Sequence, residues 1–361
     1  MSKRVLVVGC GAIGGVISAR LARARVDVTP VTGNPNIART ISSHGFQVRE
    51  FGGETWSARA RDPVVHAREL PSGERFGTCI VATKSTSLVP ALEAVLPYLA
   101  PDAFVVCCQN GLPEELAAGV VGKDRVLGCV VVFGATMEVP GEYVVTSKTS
   151  SLQLGRPFLS SPSLSSVESI LAHVAPVHVV QNLTACRLSK LAINCATSTL
   201  GAVSGERLGS LLARRLVRRI VLEIWTEVAE VARASGIAMV KVPGTLDIAK
   251  LALTPQERAA PLGSPTLMAK HSIIMAVGLK YRRMRSSMLI ALERGRTPEI
   301  DFLNGEISRR GRALGVPTPV NDRLVQMVHE IMQGKRAPSV DHLREVYEDL
   351  VLQRIIPRLA A

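Results

Sequence analysis

"VLVVGCGAIGGVISARLA", residues 5–22, decides the fold of the first half of the chain. An apolar run of strand character is broken by glycines and then resumes with helical spacing. Gly9, Gly11 and Gly14 set out G-x-G-x-x-G between an expected strand and an expected helix, the context that gives an otherwise weak pattern its meaning. The first glycine permits a tight turn, the second lets backbone approach a pyrophosphate, and the third lets the helix pack closely on the strand. The helix then offers unpaired N–H groups and the positive end of its dipole to the phosphates. Gly9, Cys10, Gly11, Ala12, Ile13 and Gly14 are therefore the expected cofactor-binding loop, against the plainer reading of a glycine-rich packing turn.

Outward from that turn, short apolar runs alternate with helical patterns up to about residue 181: DVTPV, TCIVAT, AFVVCCQ, RVLGCVVVFG, EYVVT, SLQLG and PVHVV. Several are apolar on both faces, as strands of a parallel sheet covered by helices on both sides are. From about 182 the pattern is helical almost throughout, as in CRLSKLAINCATSTLGAV and LLARRLVRRIVLEIWTEVAEVARASG. The expected architecture is an α/β Rossmann-type N-terminal domain over residues 1–181, followed by an all-α C-terminal domain over 182–361, joined near VVQNLTAC. The serine-rich LSSPSLSS at 159–166 reads as a local loop.

Composition narrows the functional classes. A chain of 361 residues, 47% hydrophobic, buries cores of two-domain size. The start MSKR has no signal-peptide character and no run is apolar enough to span a bilayer, so a cytoplasmic protein without a membrane partner is expected. Seven cysteines lack C-x-x-C spacing and read as buried, reduced thiols; no metal-ligand cluster and no Gly-x-Ser-x-Gly elbow is found. The formal charge of +13 favours anionic partners. With aromatic residues at only 4%, platforms for stacking bases are few, and no nucleic-acid partner is expected. The arginine clusters at 214, 215, 218 and 219, at 282, 283 and 285, and at 309, 310 and 312 read as solvated helix faces.

Two polar groupings carry chemistry. After the second strand the chain runs TGNPN, residues 32–36, where an NAD site usually has an acid for the ribose 2′-hydroxyl. No acid stands there, which favours NADP, and Lys84 after CIVAT adds positive charge unless it is a plain loop lysine. In the helical half, Lys190, Asn194 and Ser198 recur every four residues on one helix face among apolar neighbours. Such a lysine either snorkels from a core helix or lines a cleft, where desolvation lowers its pKa enough to make it a proton donor. Thr297 is expected to N-cap a helix, with Pro298 at the first position and Glu299 in the first turn, so Glu299 reads first as capping chemistry. His271 among apolar residues reads as a packed or partly exposed histidine.

Seven segments in order carry a family resemblance: GCGAIGG, VATKS with Lys84, CQNGL with Asn110, FGATMEVPG with Ala135, SKLAINC with Lys190 and Asn194, SSM with Ser287, and TPEIDFLNG with Glu299. The chain resembles the ketopantoate reductase (2-dehydropantoate 2-reductase) family over nearly its whole length. The resemblance implies a Rossmann-type domain, a helical domain, an active site in the cleft between them, and a place in pantothenate biosynthesis. It further implies NADPH as hydride donor to the ketone carbon of a small 2-oxo acid, with Lys190 as general acid. Asn110 would contact the nicotinamide side, and Asn194, Ser198 and Ser287 would bind substrate. Glu299 would close the site at the nicotinamide ribose or the substrate, and Ala135 would offer a backbone contact to the cofactor.

The pattern departs from the family in three respects. Ser198 stands where a second asparagine is common, Gly33 where an arginine follows the second strand, and residues 238–283 look extended. A related 2-oxo acid reductase with a different substrate is thus the nearest alternative, and a non-catalytic cofactor sensor that binds nucleic acid a more distant one. The amphipathic stretch 339–359 either covers the helical domain or meets a second subunit, which leaves a homodimer open.

Overall fold

The computed structural model describes residues 4–61, 63–259 and 263–353. The chain divides into two compact units, Met1–Thr184 and Ala185–Ala361. The first contains β1 (Val5–Val8), α1 (Ala12–Arg23), β2 (Val28–Val31), α2 (Pro35–His44), β3 (Phe46–Arg49), β4 (Thr55–Ala58), β5 (Phe76–Val81), α3 (Leu88–Val95), β6 (Leu99–Cys107), α4 (Glu114–Val121), β7 (Val126–Val131), β8 (Ala135–Thr136), β9 (Glu142–Val145), β10 (Leu152–Gly155), α5 (Ser165–Leu171) and β11 (Val177–Val180).

Seven strands make the main sheet, in the order β11-β10-β7-β6-β5-β1-β2. The pairs from β2 to β7 are parallel, whereas β10 runs antiparallel to β7 and parallel to β11. β1 shows why these strands are apolar throughout. Val5 and Val7 join one core with Val16, Ile17 and Leu21 of α1, while Leu6 and Val8 join another with Leu88 and Leu92 of α3. Side chains alternate across a strand, so helices on both faces demand hydrophobic residues at every position.

The sequence did not suggest a second sheet, yet four short strands, in the order β4-β3-β9-β8, lie against α1. EYVVT belongs to this small sheet as β9, not to the main one. α1 can pack there because Gly15 has no Cβ: one built at that position would lie 1.9 Å from Cε1 of Tyr143. The Tyr143 hydroxyl donates to the Cys10 carbonyl oxygen at 3.0 Å, tying the small sheet to the glycine turn. LSSPSLSS is loop as far as Leu164, and its last two serines open α5.

The described residues of the second unit form helices: α6 (Leu183–Ser204, whose first two residues count with the first unit), α7 (Leu208–Ala213), α8 (Arg215–Ala234), α9 (Ile248–Leu251), α10 (Pro255–Ala259), α11 (Pro265–Lys280), α12 (Ser287–Glu293), α13 (Asn304–Leu314), α14 (Pro319–Met332) and α15 (Asp341–Val346). α8 is the central element, buried along most of its length and packed by α7, α11, α13, α14 and α15. The extended segment 238–283 forms α9, α10 and α11, apart from residues 260–262, which lie outside the described residues. Of the terminal stretch 339–359, α15 and the turn after it lie on α8 through Leu343, Val346 and Val351, and residues 354–359 fall outside the described part.

Two expectations need correction. The cluster at 214–219 is a solvated face only in part: Arg215 is exposed, but Arg219 is buried, paired with Glu223 at 3.0 Å and donating to the Glu257 and Arg258 carbonyl oxygens. Beside it, Arg218 donates to the Leu212 and Ala213 carbonyl oxygens that end α7. Glu223 recurs one turn after Arg219, so the buried guanidinium has its counterion on the same helix face. Nor does Thr297 cap a helix. Glu299 precedes a single 3₁₀ turn, Ile300–Phe302, and α13 begins only at Asn304.

Candidate functional site

In the first unit the cofactor-binding candidates follow the carboxyl ends of the main sheet's parallel strands, Ala135 as the first residue of β8 in the small sheet. Gly9 to Gly14 follow β1, Lys84 follows β5, Asn110 follows β6 and Ala135 follows β7, so each lies past the carboxyl end of a parallel strand. The chain passes from β1 to β2 on one side and returns to β5 on the other, and such a reversal opens a crevice at that end of the sheet.

Hydrogen bonds knit that end of the sheet together. Gly9 N–H donates to the Val31 oxygen (2.8 Å), Ala82 N–H to the Val8 oxygen (2.8 Å) and Cys108 N–H to the Val81 oxygen (2.9 Å). Ser85, next to Lys84, donates its hydroxyl to the Asn110 carbonyl oxygen at 3.2 Å.

The three glycines differ in what they require. Gly9 has φ +99°, a left-handed conformation that strains any other residue, and an added Cβ would lie 2.7 Å from Thr83 N. At Gly14 an added Cβ would fall 1.8 Å from the Gly9 oxygen. At Gly11 it would meet nothing within 4 Å. The turn is closed from beneath at its ends and open above its middle glycine, the form that a dinucleotide phosphate needs. α1 starts there with Gly11 as N-cap and no side-chain cap, leaving its N-terminal N–H groups directed outward.

Cys10 points the other way, buried with its thiol 3.6 Å from the Val31 oxygen, and burial pushes its pKa up to about 12. All seven cysteines are buried. At the end of β2, Thr32, Gly33 and Asn34 carry no charge. Asn34 is engaged as the N-cap of α2, accepting from Asn36 N–H at 2.9 Å.

In the second unit, α6 carries Lys190, Asn194 and Ser198 along a half-buried stripe completed by Ile193 and Thr197. Leu191, Ala192, Cys195 and Ala196, on the remainder of that stretch, are buried. Two neighbours approach this stripe. Ser286 donates its hydroxyl to the Ser198 carbonyl oxygen while accepting from Met288 and Leu289 N–H as the N-cap of α12. Ser287, the predicted substrate contact, is thereby the exposed first residue of a helix anchored to Ser198.

Asn304, fully buried, donates to the Cys195 oxygen at 3.1 Å and accepts from the Thr199 hydroxyl. Glu299, 9% exposed, lies five residues before Asn304, just ahead of the 3₁₀ turn that leads into α13. Asn304 was not singled out from the sequence, although it lies in the quoted TPEIDFLNG. Its signal was a carboxamide directly after an apolar Phe-Leu pair.

Behind Asn304 the polar chain continues. Asn304 also donates to Asn321 Oδ1 (2.9 Å), and Asn321 donates through its side chain (2.7 Å) and backbone (3.0 Å) to Glu227 of α8. Burial raises the Glu227 pKa to about 7, against the lowering by N–H donors from Asn321 and Val320 and by the Arg258 charge. Two depressions of the surface, about 640 and 540 Å³, lie elsewhere. The first is lined by Glu230, Arg233 and Arg258 among others, the second by Arg20, Glu50 and Lys148, and neither contains a candidate residue.

An α/β unit with an open glycine turn at its switch point, followed by a helical unit presenting a lysine and hydrogen-bonding side chains, defines a two-domain oxidoreductase of Rossmann type. The chain belongs to the ketopantoate reductase family: the model described as "Ketopantoate reductase PanE/ApbA" matches residues 5–157 and its C-terminal counterpart residues 182–332. A 2-dehydropantoate 2-reductase of Mesorhizobium japonicum is 26% identical over 91% of this chain and 97% of its own length. Among solved structures, a PanE/ApbA family ketopantoate reductase of Ralstonia eutropha superposes with a TM-score of 0.75 at 25% identity, covering 92% of this chain and 99% of that one. A D-mandelate dehydrogenase solved with NADH and anilino(oxo)acetate gives 0.76 at 20% identity, over 92% and 99% of the two chains, a likeness of fold. Among the described residues, no helix is long and apolar enough to cross a membrane.

Proposed function

We propose that the protein reduces a small 2-oxo acid with NADPH, ketopantoate (2-dehydropantoate) being the first candidate and pantoate the product. The observation that carries the proposal is the half-buried stripe of Lys190, Asn194 and Ser198 on α6, in a chain matched by both halves of the ketopantoate reductase family. NADPH, when bound, supplies the hydride for the ketone carbon. Gly9 to Gly14 would hold its pyrophosphate at open backbone and the start of α1, with Lys84, Asn110 and Ala135, which follow β5, β6 and β7, as further contacts.

Lys190 donates the proton that the developing alkoxide requires, and its ammonium charge stabilises that oxygen in the transition state. Asn194, Ser198 and Ser287 hydrogen-bond the acid's carboxylate and hydroxyl groups. Glu299 closes the site, its low exposure excluding water from the carboxylate. These roles require Lys190 to reach the substrate carbonyl as the hydride arrives.

Preference for NADPH is supported by the uncharged end of β2, where a 2′-phosphate meets no carboxylate. Fluorescence titration with both dinucleotides tests it, and tighter NADH binding overturns it. Steady-state assays with ketopantoate and a panel of other 2-oxo acids test the substrate. Turnover of another acid with none of ketopantoate favours the second reading, a reductase of different specificity, for which the serine at 198 and the α9–α11 segment supply the structural latitude.

A further inference from the structure

Helix α6 is held by more than its own ladder. Three of its backbone carbonyl oxygens accept an extra donor from outside the helix, spaced three residues apart. Trp225 Nε1 of α8 donates to Ala192 O at 3.0 Å, Asn304 Nδ2 to Cys195 O at 3.1 Å, and Ser286 Oγ to Ser198 O at 2.5 Å. The donors come from three different elements: α8, the start of α13 and the cap of α12. All three are buried, as is Thr199, whose hydroxyl donates to Asn304 Oδ1 at 2.5 Å.

Buried hydrogen bonds of this kind have strict geometry, and a broken one leaves a polar group unsatisfied. Ordinary apolar packing tolerates small slips of a helix about its axis; three off-ladder donors do not. Each also sits beside a group of the proposed site. Ala192 follows Lys190 by two residues, Cys195 follows Asn194, and Ser198 is itself a candidate contact.

We propose that Trp225, Asn304 and Ser286 are positioning residues forming a three-point clamp that fixes the axial rotation of α6 and so the aim of Lys190, Asn194 and Ser198. Asn304 is the central member. Its carboxamide is used fully: both Nδ2 protons are donated, to Cys195 O and Asn321 Oδ1, and Oδ1 accepts from Thr199. Glu227 accepts from Asn321 and so keeps the Asn321 amide turned with its oxygen toward Asn304. The same residue opens α13 directly after the 3₁₀ turn that Glu299 precedes. Ser286 likewise caps α12, directly before Ser287. Groups far apart in sequence are thereby registered on one helix by buried donors that touch no substrate.

The inference rests on the proposed 2-oxo acid reductase activity. Its test compares kcat, KM for the acid, NADPH binding by fluorescence and the melting temperature, all on the full chain at a temperature well below melting. Asn304→Asp removes both donations while keeping side-chain volume. The expected result is a kcat lowered about tenfold or more, since a misplacement of about 1 Å can cost ~10²-fold, with NADPH affinity within about twofold of the parent.

Should Asn304→Asp fail to fold, Thr199→Val and Thr199→Ser decide. The valine, nearly isosteric but without the hydroxyl, should lower kcat several-fold, and the serine should restore it. A purely structural role moves the melting temperature of Thr199→Val and leaves kcat untouched, which overturns the proposal, as does a folded Asn304→Asp with parental kcat. A parent protein that oxidises NADPH with no 2-oxo acid refutes the functional reading and this inference with it. Turnover by the parent, with a clamp variant unaffected, refutes the inference alone.

Discussion

At the scale of single residues, the proposed chemistry turns on one ammonium group and one bare backbone. Lys190 was legible because polar residues at four-residue spacing stand out against Leu191, Ile193 and Cys195, and the structure puts all three polar members on one half-buried face. Asn304 was less legible, since its importance comes from partners 105 and 109 residues away that no local pattern announces. Glu299 was read with the wrong local geometry: Thr-Pro-Glu is good capping chemistry, yet a 3₁₀ turn intervenes before α13. The Lys190→Ala enzyme should lose about 10²-fold or more in kcat, the usual contribution of a general acid, while binding NADPH as the parent does. Steady-state kinetics beside a fluorescence titration check this. A loss of only a few-fold in kcat removes the lysine from the proton-transfer role.

At the scale of elements, two helix contacts each have a measurable consequence. α1 meets the small sheet at Gly15, where the ring of Tyr143 fills the space of a missing side chain. Alanine there gains about 1 kcal/mol of helix propensity, but overpacking a filled core typically costs about 1–3 kcal/mol. The Gly15→Ala protein should therefore melt below the parent. A melting temperature equal to or above the parent's would mean that Tyr143 yields freely. Of that small sheet only β9, in EYVVT, stands out in the sequence; β3, β4 and β8 are two to four residues long and partly exposed, too short for a pattern to mark them.

The other contact is His271 of α11, half-buried, with Nδ1 lacking a hydrogen-bond partner. Burial first, then the positive charges of Arg218, Arg215 and Arg219, lower its pKa from 6.5 to about 4. Between those values the unfolded chain binds the proton more readily than the native one, so this group's contribution is complete above pH 6.5 and is lost as pH falls toward 4. Glu227, raised to about 7, acts with the opposite sign, contributing below its unfolded value and losing that contribution as pH rises through 7. A comparison against a single variant isolates the histidine. Relative to the parent, His271→Gln should gain melting temperature on going from pH 7.5 to pH 5. An unchanged difference between the two proteins would show that His271 titrates normally.

At the scale of the whole molecule, the α/β half followed by a helical half was legible because strand and helix periods segregate along the chain. Eight of the expected runs are strands, and the glycine turn lies where its context required. The reversal at β10 was not legible, since an antiparallel neighbour inside a buried sheet has the same apolar composition as a parallel one. Charge is the other property that belongs to the entire chain. Many arginines pair locally, as Arg219 and Arg258 do with Glu223, yet pairing redistributes charge without cancelling the formal excess of +13.

Both ligands of the proposed reaction are anions, a dinucleotide phosphate and a carboxylate, so the summed field should draw them in and raise their encounter rates. Screening acts over about 10 Å at 0.1 M salt and shortens as salt is added, whereas proton and hydride transfer occur within contact distance. Raising sodium chloride from about 20 mM to about 300 mM should accordingly lower kcat/KM for the 2-oxo acid several-fold and leave kcat nearly constant, the Debye length falling by roughly a factor of four. A kcat/KM indifferent to salt would mean that the positive charge lies where approaching substrate does not feel it. A kcat falling in parallel would instead assign the effect to ion pairs that hold the reacting groups.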